Sequence, residues 1–345
     1  SRMIYSSEYF ENKEPFKDIL IHPVVQTPDG KRMSKSKGNA IDPLEMVSKY
    51  GADASRMWYT SVGIHGQQDV RFPGRKDAKE GWVSDTFEQY RKFANKLFNA
   101  CKFVMMQLPE GFISEDISKL NPNELNIADT WILNQFTKCL QETNTAYTNY
   151  DFNTVQKCIY EFLWFDYCDW YIELSKVKLS SSSSNIKNQI LFYILEASLR
   201  VLHPIMPFIT EELWQTLKAT YDFKNIQHGI IDSSLDTKLQ ETISYAKFPQ
   251  ANILFLDTSH KSQQMSFIVQ VISNLRNIRQ SLNISWSQPI EIYYQSSSEF
   301  EKNAIKTSTD YLLNIAKASS LTELIDTVSK PNSISIVGST QITIP

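Results

Sequence analysis

At 345 residues the chain is too long for one comfortable core, and 42% hydrophobic residues with 12% aromatics can fill two or three, which excludes a disordered polypeptide. The formal charge of -3 hides an asymmetry: the first 110 residues hold 17 Lys and Arg against 14 Asp and Glu, the remainder 18 against 24, so any phosphate-binding patch is expected in the first third. No apolar run reaches the ~18 residues that span a bilayer, and the opening SRMIYSSEYFENKEPF has neither the basic start nor the apolar stretch of a signal peptide, so a cytoplasmic protein without membrane contact is expected.

Residues 19–26, ILIHPVVQ, are apolar and rich in β-branched side chains, and Pro28, Asp29 and Gly30 close the run, which predicts a strand and a turn. One strand with one helix before it cannot close a sheet, so this start reads as the tail of an α/β layer whose other strands lie outside the sequence. Residues 29–39, DGKRMSKSKGN, then place four basic residues within seven positions, among serines and a glycine. Such a loop suits a polyphosphate, because the cations neutralise charge while hydroxyls and amides donate hydrogen bonds. By charge pattern alone, a solvated basic loop is the commoner outcome.

From residue 85 to 106 the apolar positions Phe87, Tyr90, Ala94, Leu97, Cys101 and Val104, continued by Leu108, repeat at three or four residues, the helical period. Similar runs cover 127–149, 152–178, 186–202 and 207–220. Their breaks carry helix-ending residues: Asn121-Pro122-Asn123, Asp151 with Asn153, serines 180–184, and His203-Pro204 with Pro207. Long helices joined by short loops predict an antiparallel bundle. After Pro249 the pattern changes to a helix at 262–282, a strand at 290–294, a helix at 298–317 and strands at 334–339 and 342–344, a small α/β region.

The cysteines Cys101, Cys139, Cys158 and Cys168 form no CxxC pair and lie in apolar periodic segments, which predicts buried thiols and no bound metal. Arg91, Asn95, Asn99 and Lys102, spaced four, four and three, make one polar stripe on their helix, ordinarily its solvated side. Trp164, Trp170 and Tyr171 sit among Phe162, Leu163, Phe165 and Ile172 and read as core. His203 and the pair Glu211-Glu212, placed in a first helical turn, read as structural, and so does His22 at the end of the expected strand.

Arg32-Met33-Ser34-Lys35-Ser36 resembles the KMSKS signature of class I aminoacyl-tRNA synthetases, and the likeness continues through residues 38–43, GNAIDP, and 49–56, KYGADASR. Arg32 stands where the signature has its first lysine, keeping the charge but not its point-like geometry, and Ser55 stands where a leucine is usual. The resemblance implies a loop that closes on ATP, with Arg32, Met33, Ser34, Lys35 and Ser36 at the nucleotide. Lys35 would be the catalytic residue, acting as the amino-acid carboxylate attacks the α-phosphate and pyrophosphate leaves. Residues 66–72, 90–99, 128–133, 165–171 and 202–214 are similar to the valyl branch of the family; residues 166–171 and 275–279, LRNIR, separate it from the isoleucyl and leucyl branches.

That resemblance implies a mainly α protein in three parts: the end of a Rossmann-type catalytic domain with connecting helices at 1–82, an antiparallel helical-bundle anticodon-binding domain at 83–250, and a small C-terminal α/β region at 251–345. Splayed anticodon bases need amide donors, cations and an exposed aromatic, so Arg91, Asn95, Asn99, Lys102 and Phe103 become the candidate tRNA contacts. The expected partners are tRNA(Val), valine and ATP with Mg2+, and the expected state is a monomer. The family's HIGH signature and editing insertion would lie before Ser1 and a coiled-coil arm after Pro345, so the chain by itself is expected to form no adenylate. The rival readings are an isoleucyl or leucyl relative and a non-catalytic tRNA-binding module.

Overall fold

The computed structural model describes residues 2–63, 69–177, 184–221, 241–257, 259–324 and 333–344, with Lys35 as backbone alone. Within these the chain is mainly α with three small sheets. Residues 66–68, serines 180–183 and Pro345, all used in the sequence reading, lie outside the described residues.

Helix α1 (Arg2–Glu11) buries none of its side chains. The strand expected over 19–26 is only β1 (Val25–Gln26), paired in parallel with β2 (Val70–Arg71). Ile19, Leu20, Ile21 and Val24 are exposed. A β-branched run becomes strand only against a partner and a covered face, and among the described residues the backbone contact to β2 reaches back only to Val24, whose carbonyl accepts from Val70 N (2.9 Å).

Helix α2 (Pro43–Tyr50) begins where the Asp42 carboxylate accepts from Leu44 N and Pro43 takes the first turn, and it ends at Gly51, whose φ of 90° few other residues adopt. Helix α3 (Ala52–Ser61) follows directly. The antiparallel hairpin of β3 (Arg75–Asp77) and β4 (Gly81–Val83) leads into α4 (Asp85–Gln107), which is capped by the Ser84 hydroxyl on Phe87 N.

Helix α4 buries Phe87, Tyr90, Phe93, Leu97, Ala100, Cys101 and Val104, the predicted stripe with Phe93 and Ala100 added and Ala94 left half-buried. Helices α5 (Ile127–Thr148) and α6 (Phe152–Glu161) are capped by Asn126 and Asp151. The helix then widens into a π-helix over Phe162–Tyr171 before α7 (Ile172–Ser175). Ile172 N donates to Tyr167 O, five residues back, and Phe162, Leu163, Tyr167 and Tyr171 face the core at the wider spacing that ladder sets. Tyr171 is core as expected, whereas Trp164 and Trp170 are only half-buried.

Helix α8 (Ser184–Leu202) is the central member of the bundle, and from Ile190 to Leu202 all but Tyr193 are buried. Its Glu196 and Arg200 form a buried ion pair at 2.8 Å; Trp214 Nε1 of α9 (Pro207–Thr220) donates to Glu196 (3.2 Å), and Arg200 donates to Lys247 O (2.7 Å). Breaking such a pair leaves a bare buried charge, so the four groups lock together. Glu211 lies in the second turn of α9, not the first, and accepts from Thr242 and Ile243. His203 bonds the Thr210 and Ser244 hydroxyls.

Helix α10 (Lys261–Ser281) packs on α5 and leads to the four-stranded sheet. The sheet runs β6 (Ala318–Glu323), β5 (Ile290–Ser296), β8 (Thr340–Ile344), β7 (Ser333–Val337), with β5 and β6 parallel and the other pairs antiparallel. The helix expected at 298–317 is two, α11 (Glu299–Thr307) and α12 (Thr309–Ile315), parted at Ser308. Strand β6, ASSLTE, escapes the sequence reading because it has little apolar alternation.

All four cysteines are free; Cys101 and Cys139 are buried, and burial pushes the Cys101 thiol up to about 12. Asp129, 2% exposed in the first turn of α5, accepts from the Tyr171 hydroxyl at 2.8 Å. Burial pushes its carboxyl up to about 6, against the pull of Tyr171 and Asn126. The fold therefore favours the protonated acid: this contribution is full below the unfolded value, near ~4, and is lost as pH rises through about 6. Asp129→Asn should flatten the fall in unfolding midpoint between pH 4 and pH 7; parallel profiles for parent and variant would show that this carboxyl is not its source.

Candidate functional site

The basic loop is laced shut by its own side chains. Thr27 N donates to Lys31 O (2.9 Å), the Thr27 hydroxyl donates to Asp29 (2.5 Å) and accepts from Lys31 N (3.0 Å), and Gly30 turns the chain at φ 80°. Lys31 pairs with Asp29 at 2.7 Å, which holds the Asp29 carboxyl below its usual range and raises Lys31. Its charge is thus directed back into the loop. Gln26 and Val24 both donate to the Asp69 carboxylate, fixing the strand from which the loop springs.

Beyond Arg32 the brace is Asn39: its Oδ1 accepts from Ser34 N (2.9 Å) and its Nδ2 donates to Arg32 O (3.2 Å). The Ser34 hydroxyl lies 3.0 Å from that of Ser36 and accepts from Lys37 N (3.2 Å). Residues Lys35–Lys37 make one 3-10 turn, and Gly38 ends it at φ 62°. Arg32, Ser36 and Lys37 are left exposed and Ser34 half-buried. Met33, expected at the nucleotide, is instead half-buried against the core, where an unbranched thioether holds the loop down by packing. The set of cations and hydroxyls fits the oxygens of a phosphate chain. Among the described residues no three His, Cys, Asp or Glu side chains cluster as a metal site.

A shared core ties this loop to α4. Tyr50, Trp58, Phe72 and Phe87 meet tilted or edge-to-face with ring centres 5.2 to 5.8 Å apart, and Trp82 meets Phe72 edge-to-face at 5.6 Å. Tyr50 Oη accepts from Ser84 N (2.9 Å), and Glu45 accepts from Trp82 N (2.7 Å). At Gly81 a side chain would meet that Glu45 carboxylate, and the φ of 73° favours glycine as well.

Helix α3 also grips the bundle. The Asp53 carboxylate accepts from Phe208 N (3.2 Å) and Ile209 N (2.7 Å) at the start of α9, while Arg56 donates to Ile205 O (2.9 Å) and Pro204 O (2.8 Å) just past the end of α8. Burial raises the Asp53 carboxyl, opposed by those two amides and by Arg56 and His203.

On α4 the residues Arg91, Asn95, Asn99 and Lys102 are all exposed along one face. Arg91 forks onto Glu88 through two hydrogen bonds, 2.8 and 2.7 Å, and holds that carboxyl below its usual range. Phe103, expected as the exposed aromatic, is half-buried against the core with Lys176 Nζ 5.0 Å from its ring centre. It lies on the side of α4 turned to the π-helix. The exposed aromatic is Phe98, 51% accessible. At about 100° per residue, Met106 falls within the stripe and Phe98 beside it, so the angle carried a signal that proximity in sequence did not. Phe98, Lys102, Met105 and Met106 line a groove of about 340 Å³ against α9.

Residues 1–72 match the family model described as tRNA synthetases class I (I, L, M and V), and residues 129–294 match that described as the anticodon-binding domain of tRNA ligase. A valine–tRNA ligase of Lactobacillus johnsonii is 34% identical over 94% of this chain and 34% of its own length. One of Thermotoga maritima is 35% identical over 94% of this chain and 33% of its own, and one of Listeria monocytogenes 35% over 100% and 36%. The chain spans about a third of the length of these curated relatives. A solved ternary complex of LeuRS with tRNA and LeuAMS from Agrobacterium radiobacter is 19% identical, with a TM-score of 0.47 over 74% of this chain and 26% of that one.

Asn39→Ala should remove the partner of the Ser34 amide and speed its hydrogen exchange by roughly two- to tenfold, the worth of one net hydrogen bond, with the exchange of α8 amides unchanged. Unaltered exchange at Ser34 would show that Asn39 is not the brace.

Proposed function

We propose, from the premise that this chain belongs to the class I tRNA synthetases and within them to the valine–tRNA ligase branch, that the whole protein activates valine with ATP and transfers it to tRNA(Val) in the cytoplasm, acting as a monomer. Residues 1–82 supply the nucleotide-gripping end of the catalytic domain, residues 83–250 the anticodon-binding bundle, and residues 251–345 a small α/β unit. The observation that carries the reading is the Asn39-laced loop, which turns Arg32, Ser36 and Lys37 outward on a fixed backbone.

The valine carboxylate attacks the α-phosphorus, the bond from that phosphorus to the pyrophosphate oxygen breaks, and negative charge gathers on the departing pyrophosphate. Cations and hydroxyls on a loop whose backbone Asn39 already braces meet that charge with less ordering of their own. Mg2+ bound with the nucleotide supplies further neutralisation of the phosphates. Lys35, at the head of the 3-10 turn, is the catalytic residue, with Arg32, Ser34 and Ser36 as nucleotide contacts and Met33 as the loop's anchor. A leucyl or isoleucyl specificity is disfavoured because the relatives at 34–35% identity carry the valine name. A module without catalysis would have no use for the loop.

On the bundle, Arg91, Asn95, Asn99 and Lys102 face the anticodon loop, with Phe98 as the stacking aromatic in place of Phe103.

In the full-length protein, Lys35→Ala should lower valine-dependent pyrophosphate exchange about a hundredfold, or ~3 kcal/mol, while valine binding changes little. Unchanged exchange in a folded variant would remove Lys35 from the chemistry. Arg91→Ala and Lys102→Ala should weaken all tRNAs and lessen the salt dependence of binding, because each neutralises phosphate. Asn95→Ala and Asn99→Ala should instead blur discrimination between matched and mismatched anticodons. Four variants that bind like the parent at two salt concentrations would make the stripe solvent-facing.

A further inference from the structure

A cavity of about 590 Å³ opens where the π-helix and α7 meet α10 and the end of α12. It is the size of a small-molecule site, and it lies apart from the loop and from the stripe of α4. Trp170, Lys176, Arg276, Trp286 and Lys317 contribute its walls, with Asp169 and Glu173.

Three observations mark it as more than a joint. Trp286 is 46% exposed, a large rigid ring left half in water on the polar loop that follows α10. That loop is held from beneath by Arg279, itself only 1% exposed: Nη2 donates to the carbonyls of Ser285 (2.7 Å) and Gln288, and the guanidinium carbon lies 5.0 Å from the Trp286 ring centre. Its Nε and Nη1 are buried without a partner, a cost the fold accepts to keep the loop and its ring in one place. The third observation is charge. Glu173 is engaged by Lys176 and Asp169 by Lys96, both at 2.5 Å, so Arg276, which feels both carboxylates, and Lys317 make no direct ion pair among the described residues. Arg276 lies 4.7 Å from the Trp170 ring centre and 6.0 Å from that of Trp286. Lys317 is set at φ 54°, a conformation that non-glycine residues adopt at a cost.

We propose that this cavity binds one unpaired nucleotide of the bound tRNA, with the base stacked on the open face of Trp286 and the phosphate between Arg276 and Lys317. An aromatic beside cations that make no direct ion pair is the chemistry that recognises single-stranded RNA, since every base offers a π face and every phosphate a charge. The site deepens the tRNA-binding reading and rests on it, but uses residues outside the stripe of α4.

The test is binding of a tRNA(Val) transcript to the full-length protein, by filter retention and by quenching of tryptophan emission. Trp286→Ala should weaken binding roughly five- to a hundredfold and remove part of the quenching, while Trp286→Phe, which keeps a stacking face, should retain most of the affinity. Lys317→Gln should lessen the slope of log affinity against log salt by about one phosphate contact. If Trp286→Ala lowers the unfolding midpoint but leaves affinity, salt slope and quenching at the parent's values, Trp286 is only a clamp between the bundle and the α/β unit and the proposal is overturned. If that happens while the stripe variants bind weakly, the tRNA reading survives without this site; a parent that binds no tRNA overturns both.

Discussion

Two side chains of α3 hold the corner between α8 and α9, and the placing of the loop relative to the bundle depends on them. Asp53 satisfies two amides at the start of α9, where the helix dipole favours an anion, and Arg56 satisfies two carbonyls just past the end of α8, where it favours a cation. The corner offers orphan groups of both signs within a few residues, and α3 presents the matching charges one turn apart. His203 and Glu211 close the far side onto the segment at 242–244. Because α2 and α3 also share the aromatic core beneath α4, a displacement of the loop's base has no soft layer to absorb it before it reaches the bundle.

The helices of the bundle were legible because each repeats apolar residues at three or four, and α4, α5 and α6 also begin on a side-chain cap: Ser84, Asn126 and Asp151 all accept from amides of the first turn. The short elements were not. Helices α2 and α3 are too brief for a period to establish itself, and the β3–β4 hairpin has only exposed and half-buried residues, so no alternation marks it. The run 19–26 misled for the opposite reason: it has the composition of a strand, but composition does not supply a neighbour.

The loop's residue types were readable and its brace was not. Asn39 sits in the run used to recognise the family, yet nothing in a sequence says that its amide bonds the backbone on both sides of Met33. Met33 and Phe103 share one lesson. Each is apolar beside a cation, and each turned to the core because burial of apolar surface outweighs any single contact that an exposed ring or thioether makes with a ligand. Asp53 and Arg56 were invisible for a further reason: their partners lie some 150 positions away.

The π-helix has a consequence for how this protein tolerates changes of length. Its wider winding turns Trp164 and Asp169 under Lys96 of α4, with Lys96 Nζ 3.9 Å from the Trp164 ring, while Trp170 faces Arg276 of α10. An α-helical stretch between the same end points would need fewer residues, so the segment stores surplus chain inside a continuous rod. Losing one residue there need not cut the helix, since the ladder can close at the tighter spacing. Where the ladder closes in that way, a turn gives up its extra residue without changing its angle, so the segments on either side keep the faces that set Lys96 on Trp164 and Arg276 on Trp170. A deletion inside α4, α5 or α8 meets no such reserve: it would turn one part of the helix by about 100° against the other and change which neighbours it addresses.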